Sequence, residues 1–197
     1  MAGSGSIQTR EVRFGRTALS IGVGELVDQP VEVLIAPGNM RGMFGAGANG
    51  TLWSAAGEMV ERDLRSHAPF EIGRAVTTES GRLAQRGVTH IVHAIVSPAL
   101  GETPRPLDVP EAIGNALNQV VDLRARSFAV PIIGVSTRAT EEQRLDAARV
   151  VLEAVVARLR TRKHRIERGI LVSRFEDDRV PLESLLDRAR ERLWTGS

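Results

Sequence analysis

The 197-residue chain has no cysteine and a single lysine, Lys163, and only 4% of its residues are aromatic. Without cysteine there is no disulfide and no thiolate metal site, and the redox compartment is left open. The longest apolar runs are too short to span a bilayer. The first ten residues, MAGSGSIQTR, contain no apolar core of a signal peptide. Residues 1–9 are read as a flexible end and 10–197 as one domain, with a cytoplasmic location as the default. What is present is ordinary for a globular protein: 42% hydrophobic and 25% charged residues, in a chain long enough to bury a sizeable core.

The formal net charge is only +2, although the sequence pI is about 10.2. The high pI follows from the pKa of arginine and does not mean a strong field at neutral pH. The densest basic run is ARLRTRKHRIER, ending at Arg168, after a helical pattern. It reads first as a solvated helix end complementing the macrodipole. A nucleic-acid patch is the minor reading, since little aromatic interleaving supports it.

The hydrophobic pattern predicts strands over 11–14 and 17–21, joined in a hairpin at Gly15 and Arg16. Val31, Val33, Leu34 and Ile35 predict a third strand over 31–36, covered on both faces and stopped by Pro37, Gly38 and Asn39. A single helix is expected over 51–64, with Leu52, Ala55, Ala56, Met59 and Val60 at helical spacing. Further strands are expected over 73–78, 88–95, 127–133 and 170–173, and helices over 111–124, 141–159 and 182–193. Residues 98–110 read as a proline-rich loop. Strands alternating with helices predict one α/β layered domain.

The most informative segment is VEVLIAPGNMRGMFGAGANGTLWSAAG, from Val31 to Gly57. Gly45, Gly47 and Gly50 free the backbone to approach a ligand, and the helix N-terminus behind them offers unpaired N–H groups and a positive dipole end. These features point to a phosphorylated small molecule; the plainer reading of any one glycine is a tight turn. The letters match G-x-G-x-x-G, but eight residues, 37–44, separate the motif from its strand. No strand ending in an acid follows at the required distance, and Glu71 is crowded by Pro69, which argues against a dinucleotide-dependent dehydrogenase. There is no G-x-x-x-x-G-K-[ST], which removes a P-loop ATPase.

The order of motifs resembles the macrodomain family of ADP-ribose-binding modules over most of the chain. Gly24-Glu25-Leu26 is similar to that family's G-D-[IL] turn, and VEVLIAPGN to its V-D-A-I-V-N-A-A-N strand. GAGANGTLWSAAG resembles G-G-G-V-D-G-A-I-x-x-A-A-G, the most specific of these segments. THIVHAIVSP resembles Y-V-I-H-T-V-G-P, and SFAVPIIGVSTRA more loosely resembles S-I-A-F-P-A-I-S-T-G-x-x-G. The resemblance implies a three-layer α/β/α sandwich with a mixed central sheet and a ligand crevice at the strand ends.

The resemblance also implies a role for each matching position. Glu25 stands where the family has an aspartate that accepts from the adenine amino group, and the Leu26 N–H would help hold adenine. Phe175 is either an adenine-stacking face or a core aromatic. Asn39 matches the asparagine that contacts the distal ribose, whereas the preceding asparagine of that motif is Ala36 here. Gly45, Ala46, Gly47 and Ala48 would wrap the diphosphate and the distal ribose. Gly134, Val135, Ser136, Thr137 and Arg138 would form the second phosphate loop, although Ala139 replaces its final glycine. Arg138 either pairs with phosphate or is a solvated loop arginine.

The expected ligand is therefore ADP-ribose or a related nucleotide diphosphate, free or attached to a protein, with no cofactor or metal and no membrane partner. Some members of the family hydrolyse ADP-ribosyl bonds with the asparagine matching Asn39 and an aspartate. That aspartate position is Asn49 here, and an amide cannot act as a general base. A hydrolase with a non-standard base, and a diverged interaction module without nucleotide, stand as the alternatives. The four histidines show no metal spacing. His90 and His93 fall on opposite faces of a strand, and His93 reads as a core residue rather than a ligand.

Overall fold

Consecutive apolar residues in a strand require cover on both sides of the sheet. The computed structural model, which describes residues 10–45, 48–136, 138–161 and 163–194, has that arrangement. The expected flexible end, residues 1–9, lies outside the described residues. The elements are β1 (Glu11–Phe14), β2 (Thr17–Val23), β3 (Val33–Asn39), α1 (Ala48–Ala56), α2 (Glu58–Ser66), β4 (Ala75–Glu79), β5 (His90–Ser97), α3 (Asp108–Asp122), β6 (Ser127–Pro131), α4 (Glu141–Thr161), β7 (Arg168–Ser173) and α5 (Arg179–Trp194). Short 3-10 turns at Leu26–Asp28, Gly81–Arg86 and Glu176–Asp178 complete the chain; the hydrophobic pattern gives no sign of them.

The seven strands form one mixed sheet in the order β1-β2-β7-β6-β3-β5-β4. The five inner strands are parallel, and β1 and β4 are antiparallel at the two edges. Side chains divide between the faces with period two. Val33 and Ile35 join Phe128, Val130 and Leu171 under α3, α4 and α5. Leu34 and Ala36 join Ala129, Ile170 and Val172 under α1 and α2. The result is the three-layer α/β/α sandwich with a mixed central sheet. Among the described residues no helix is long and apolar enough to cross a membrane.

Among the boundaries that differ from expectation, three cases have a local reason. First, β3 runs through Pro37 and Gly38 to Asn39. It pairs with β6 only at Val33 and Leu34, so beyond Leu34 it is held by β5 alone, and Pro37 interrupts no ladder on the β6 side. Second, the helix expected over 51–64 is two helices, parted by Gly57 at φ 99° and ψ 160°. Arg82 Nη2 donates to the Ser54 carbonyl at 2.6 Å, satisfying a carbonyl that the break exposes. Third, α3 and α5 start earlier than expected because Pro110 and Pro181 sit in first turns, where a missing N–H costs nothing.

His93 is a core residue. It is fully buried, its Nε2 lies 3.0 Å from Thr78 Oγ1, and burial lowers its pKa to about 3, so it stays neutral. No metal-binding cluster occurs among the described residues.

The Gly57 backbone lies in a region that side chains rarely adopt, even though its nearest neighbour, the Arg82 guanidinium, leaves room at 3.5 Å. Gly57→Ala is therefore expected to destabilise the fold by about 1–3 kcal/mol through strain alone. A urea titration followed by circular dichroism measures this; an unchanged midpoint would mean that the α1–α2 break does not depend on glycine.

Candidate functional site

From β3 the chain continues to β4 and β5 on one side of the sheet, and from β6 it continues to β7 on the other. The crevice between such strands is where open α/β sheets bind ligands. Here β3 and β6 part beyond Leu34 and Ala129, and a cavity of about 600 Å³ opens at their C-terminal ends. Pro37, Gly38 and Asn39 of β3 line it, facing Pro131, Ile132 and Ile133 at the end of β6. Prolines at both parting strands fit a place where the ladder has ended.

One end of the cavity is built where β2 and β7 stop. The Gly24 N–H donates to the Ser173 carbonyl at 2.9 Å, which joins the two strand ends. Glu25 follows, and its carboxylate accepts from Thr51 Oγ1 of α1 at 3.0 Å and from Arg174 Nη2 at 2.8 Å. Leu26 lines the wall beside it. Phe175 also lines the cavity and is 42% exposed, so it is not a core aromatic. The guanidinium of Arg144 sits 4.2 Å from its ring centroid, at cation–π distance.

Arg144 holds this end together. Its Nε donates to the Asp178 carboxylate at 2.9 Å and its Nη2 at 2.7 Å, while Nη1 donates to the Ala139 carbonyl at 2.9 Å. Asp178 is fully buried and also accepts from Ser173 Oγ. Burial alone would raise its pKa; the hydrogen bonds from Arg144 and Ser173 outweigh this and hold the carboxyl below its usual range. One side chain of α4 thus ties the loop after β6 to the turn after β7.

At the other end the lining includes Asn39, where β3 gives way to the loop that leads to α1. Asn39 is 3% exposed, and its Oδ1 accepts from the N–H groups of Arg41 (3.1 Å) and Met43 (3.2 Å), while its Nδ2 donates to the Met43 carbonyl at 2.6 Å. Its amide oxygen is committed to shaping residues 39–43, and one Nδ2 hydrogen remains. Gly45 lies so close to Leu100 that a β-carbon would meet Leu100 Cδ1 at 2.2 Å, and one at Gly50 would meet the Gly45 carbonyl at 2.7 Å. These glycines let α1 begin directly behind the loop.

The cavity brings together Glu25, Leu26, Asn39, Gly134, Val135, Ser136 and Phe175 of the expected site. Gly45 is not among its lining residues. Arg138 is not either; it is exposed, and its backbone N–H donates to Ser136 Oγ at 3.2 Å. Ala46, Gly47 and Thr137 lie outside the described residues. Ala48 and Asn49 open α1, and their side chains also lie outside what is described. Sequence reasoning missed Thr51, Arg144, Arg174 and Asp178, and it passed over the wall formed by residues 99–104. Arg144 and Asp178 are 34 positions apart, and no local pattern marks such a pair.

Arg144 is paired with Asp178 and Arg174 with Glu25, and they are the only cations among the described lining residues. A phosphate there would therefore be met by backbone N–H groups and a helix N-terminus rather than by free cations.

Comparison with known proteins agrees with this geometry. The family model described as Macro domain matches residues 35–151. An uncharacterized protein of Aeropyrum pernix is 28% identical over 164 residues, 83% of this chain and 82% of that protein. The ADP-ribose glycohydrolase MACROD1 of Rattus norvegicus is 26% identical over 81% of this chain and 61% of that protein. Among solved structures, the Oceanobacillus iheyensis macrodomain with ADP superposes with a TM-score of 0.76, at 19% identity, covering 93% of this chain and 97% of that one. The Trypanosoma brucei macrodomain in complex with ADP-ribose gives 0.69 at 16% identity, covering 87% of this chain and 68% of that one. A strand-end crevice at the sheet's switch point and a family match over more than half of the sequence lead to one conclusion: this chain belongs to the macrodomain family.

Proposed function

We propose that the chain binds ADP-ribose, free or attached to a protein, in the cavity between β3 and β6. The observation that carries this reading is the polarity of the cavity. A carboxylate and an exposed aromatic ring, Glu25 and Phe175, stand at one end, and Asn39, from which the chain runs through the loop to the N-terminus of α1, stands at the other. That order suits adenine, then diphosphate, then the distal ribose. Related macrodomains solved with ADP and with ADP-ribose support the choice of ligand.

Binding without turnover is the reading that the residues favour. Asn39 has its amide oxygen engaged, and position 49 carries an amide that cannot take a proton from water. Of the carboxylates lining the cavity, Glu25 is paired with Arg174 and Glu102 lies on an exposed loop. Incubation with an ADP-ribosylated protein is expected to release no ADP-ribose; sustained release would replace the binding reading with a hydrolytic one.

Calorimetric titration with ADP-ribose should give a one-to-one isotherm in the micromolar range, with AMP weaker. Silence at millimolar ADP-ribose would overturn the proposal. Phe175→Ala should weaken ADP-ribose and AMP alike by roughly 5- to 150-fold, the worth of about 1–3 kcal/mol for one base stacked on an aromatic ring. Unchanged affinity would place adenine elsewhere.

Arg144→Met should leave the Asp178 carboxylate buried and unpaired, at a cost of about 3–5 kcal/mol in folding stability. Adding Asp178→Leu should recover part of it. Denaturant midpoints of the single and double variants test this, and additive losses would show that the two side chains do not act as a pair.

A further inference from the structure

The basic run of residues 158–168 is not confined to a helix end. Arg158 and Arg160 remain in the last turn of α4, where they complement its dipole. Arg165 leaves the helix. It meets Arg16 from the β1–β2 turn and Arg124 and Arg126 from the link between α3 and β6, around a cavity of about 340 Å³ whose fifth lining residue is Glu167. The four arginines come from three separate stretches of the chain. A helix-end effect explains neither Arg16 nor Arg126.

This cavity lies at the N-terminal ends of the parallel strands, where β6 and β7 begin. The ADP-ribose cleft lies at their C-terminal ends, about 20 Å away along a six-residue strand. Its charges are mostly unspent. Arg126 pairs with Glu167 at 3.2 Å, and its N–H donates to the Glu32 carboxylate at 2.6 Å. Arg16 Nη1 donates to the His164 carbonyl at 3.0 Å, a contact that orients the guanidinium without neutralising it. Lys163, two positions before Arg165, is exposed.

Arg124 supplies an independent observation. It has φ 57°, the one positive φ at a non-glycine position among the described residues. It follows α3 as its left-handed cap, with the Arg124 N–H donating to the Val121 carbonyl at 2.9 Å and the Ala125 N–H to the Val120 carbonyl at 3.3 Å. Glycine is the residue that fits such a cap without strain. Arginine in its place costs folding stability and places a guanidinium on the rim of the cavity.

We propose that this pole is a second binding site, for the phosphate backbone of double-stranded nucleic acid. Guanidinium groups match phosphate oxygens bidentately, and the lining carries a net charge of +3 from four arginines and one glutamate. Among the described residues no aromatic side chain lines the cavity, so single-stranded bases have no ring to stack on there. Among the described lining residues no asparagine or glutamine accompanies the arginines, and guanidinium contacts to phosphate carry no sequence information, so binding is independent of sequence. Four arginines from three stretches of the chain, with exposed Lys163 two positions before Arg165, suit a repeating anion better than one compact anion.

The test is fluorescence anisotropy of the full chain with two unrelated duplexes of about 20 base pairs across a salt series, with a single strand and tripolyphosphate as competitors. Both duplexes should bind alike, and log K should fall with log salt at a slope of about −3, near −0.9 for each phosphate contacted. Arg124→Gly should reduce the slope by about 1 while leaving the melting temperature equal or higher, because it relieves the left-handed strain. Arg124→Gly combined with Arg165→Ser should reduce the slope by about 2. Saturating ADP-ribose should leave duplex binding unchanged. The proposal fails if no duplex binds at about 50 mM salt, if the variants bind like the parent, or if ADP-ribose displaces the duplex. It also fails if tripolyphosphate or the single strand binds in preference to the duplex.

Discussion

The site depends on the point at which β3 and β6 stop being neighbours. They share a ladder only at Val33–Leu34 and Phe128–Ala129, and beyond it each is held by its outer partner alone. That early parting makes the cavity, and it explains why central strands tolerate Pro37 and Pro131 there. Chain direction reinforces it, because the connections from the two strands run to opposite sides of the sheet. Longer pairing would close the crevice; shorter pairing would divide the sheet and separate the buried faces that Val33, Leu34 and Phe128 hold together.

Around that gap, ionic pairs join segments that the backbone does not. Arg144 connects Asp178, Phe175 and the Ala139 carbonyl, and Arg174 connects Glu25, which Thr51 also reaches from α1. Each pair consumes a charge that would otherwise face the ligand. The cleft wall is close to neutral as a result, whereas the opposite pole keeps its arginines largely uncompensated. With a formal net charge of +2, the distribution of charge rather than its sum distinguishes the two ends of the sheet.

The sheet was largely legible in the sequence, because a strand covered on both faces leaves a run of apolar residues and Val33, Leu34, Ile35 and Ala36 are such a run. Glu25, Leu26 and Asn39 were singled out by the resemblance to macrodomain motifs and Phe175 by its place after the last strand, and all four line the cavity at the strand ends. Arg138 was left with two readings because a loop arginine two residues from Ser136 reads the same whether it faces ligand or solvent. The split helix was missed because Leu52, Ala56 and Val60 keep one apolar face through Gly57, and periodicity does not register a break that preserves the face.

The sequence by itself determined the layered α/β class, the burial of the inner strands and the glycine loop before a helix. These follow from residue type and short-range spacing. Tertiary structure alone decided how far β3 and β6 remain paired, which arginine meets which carboxylate, and that Asn39 turns its amide oxygen toward its own loop. It also gathered Arg16, Arg124, Arg126 and Arg165 at one pole. Such contacts join positions tens of residues apart, and their partners are chosen by the packing of whole layers rather than by any local pattern.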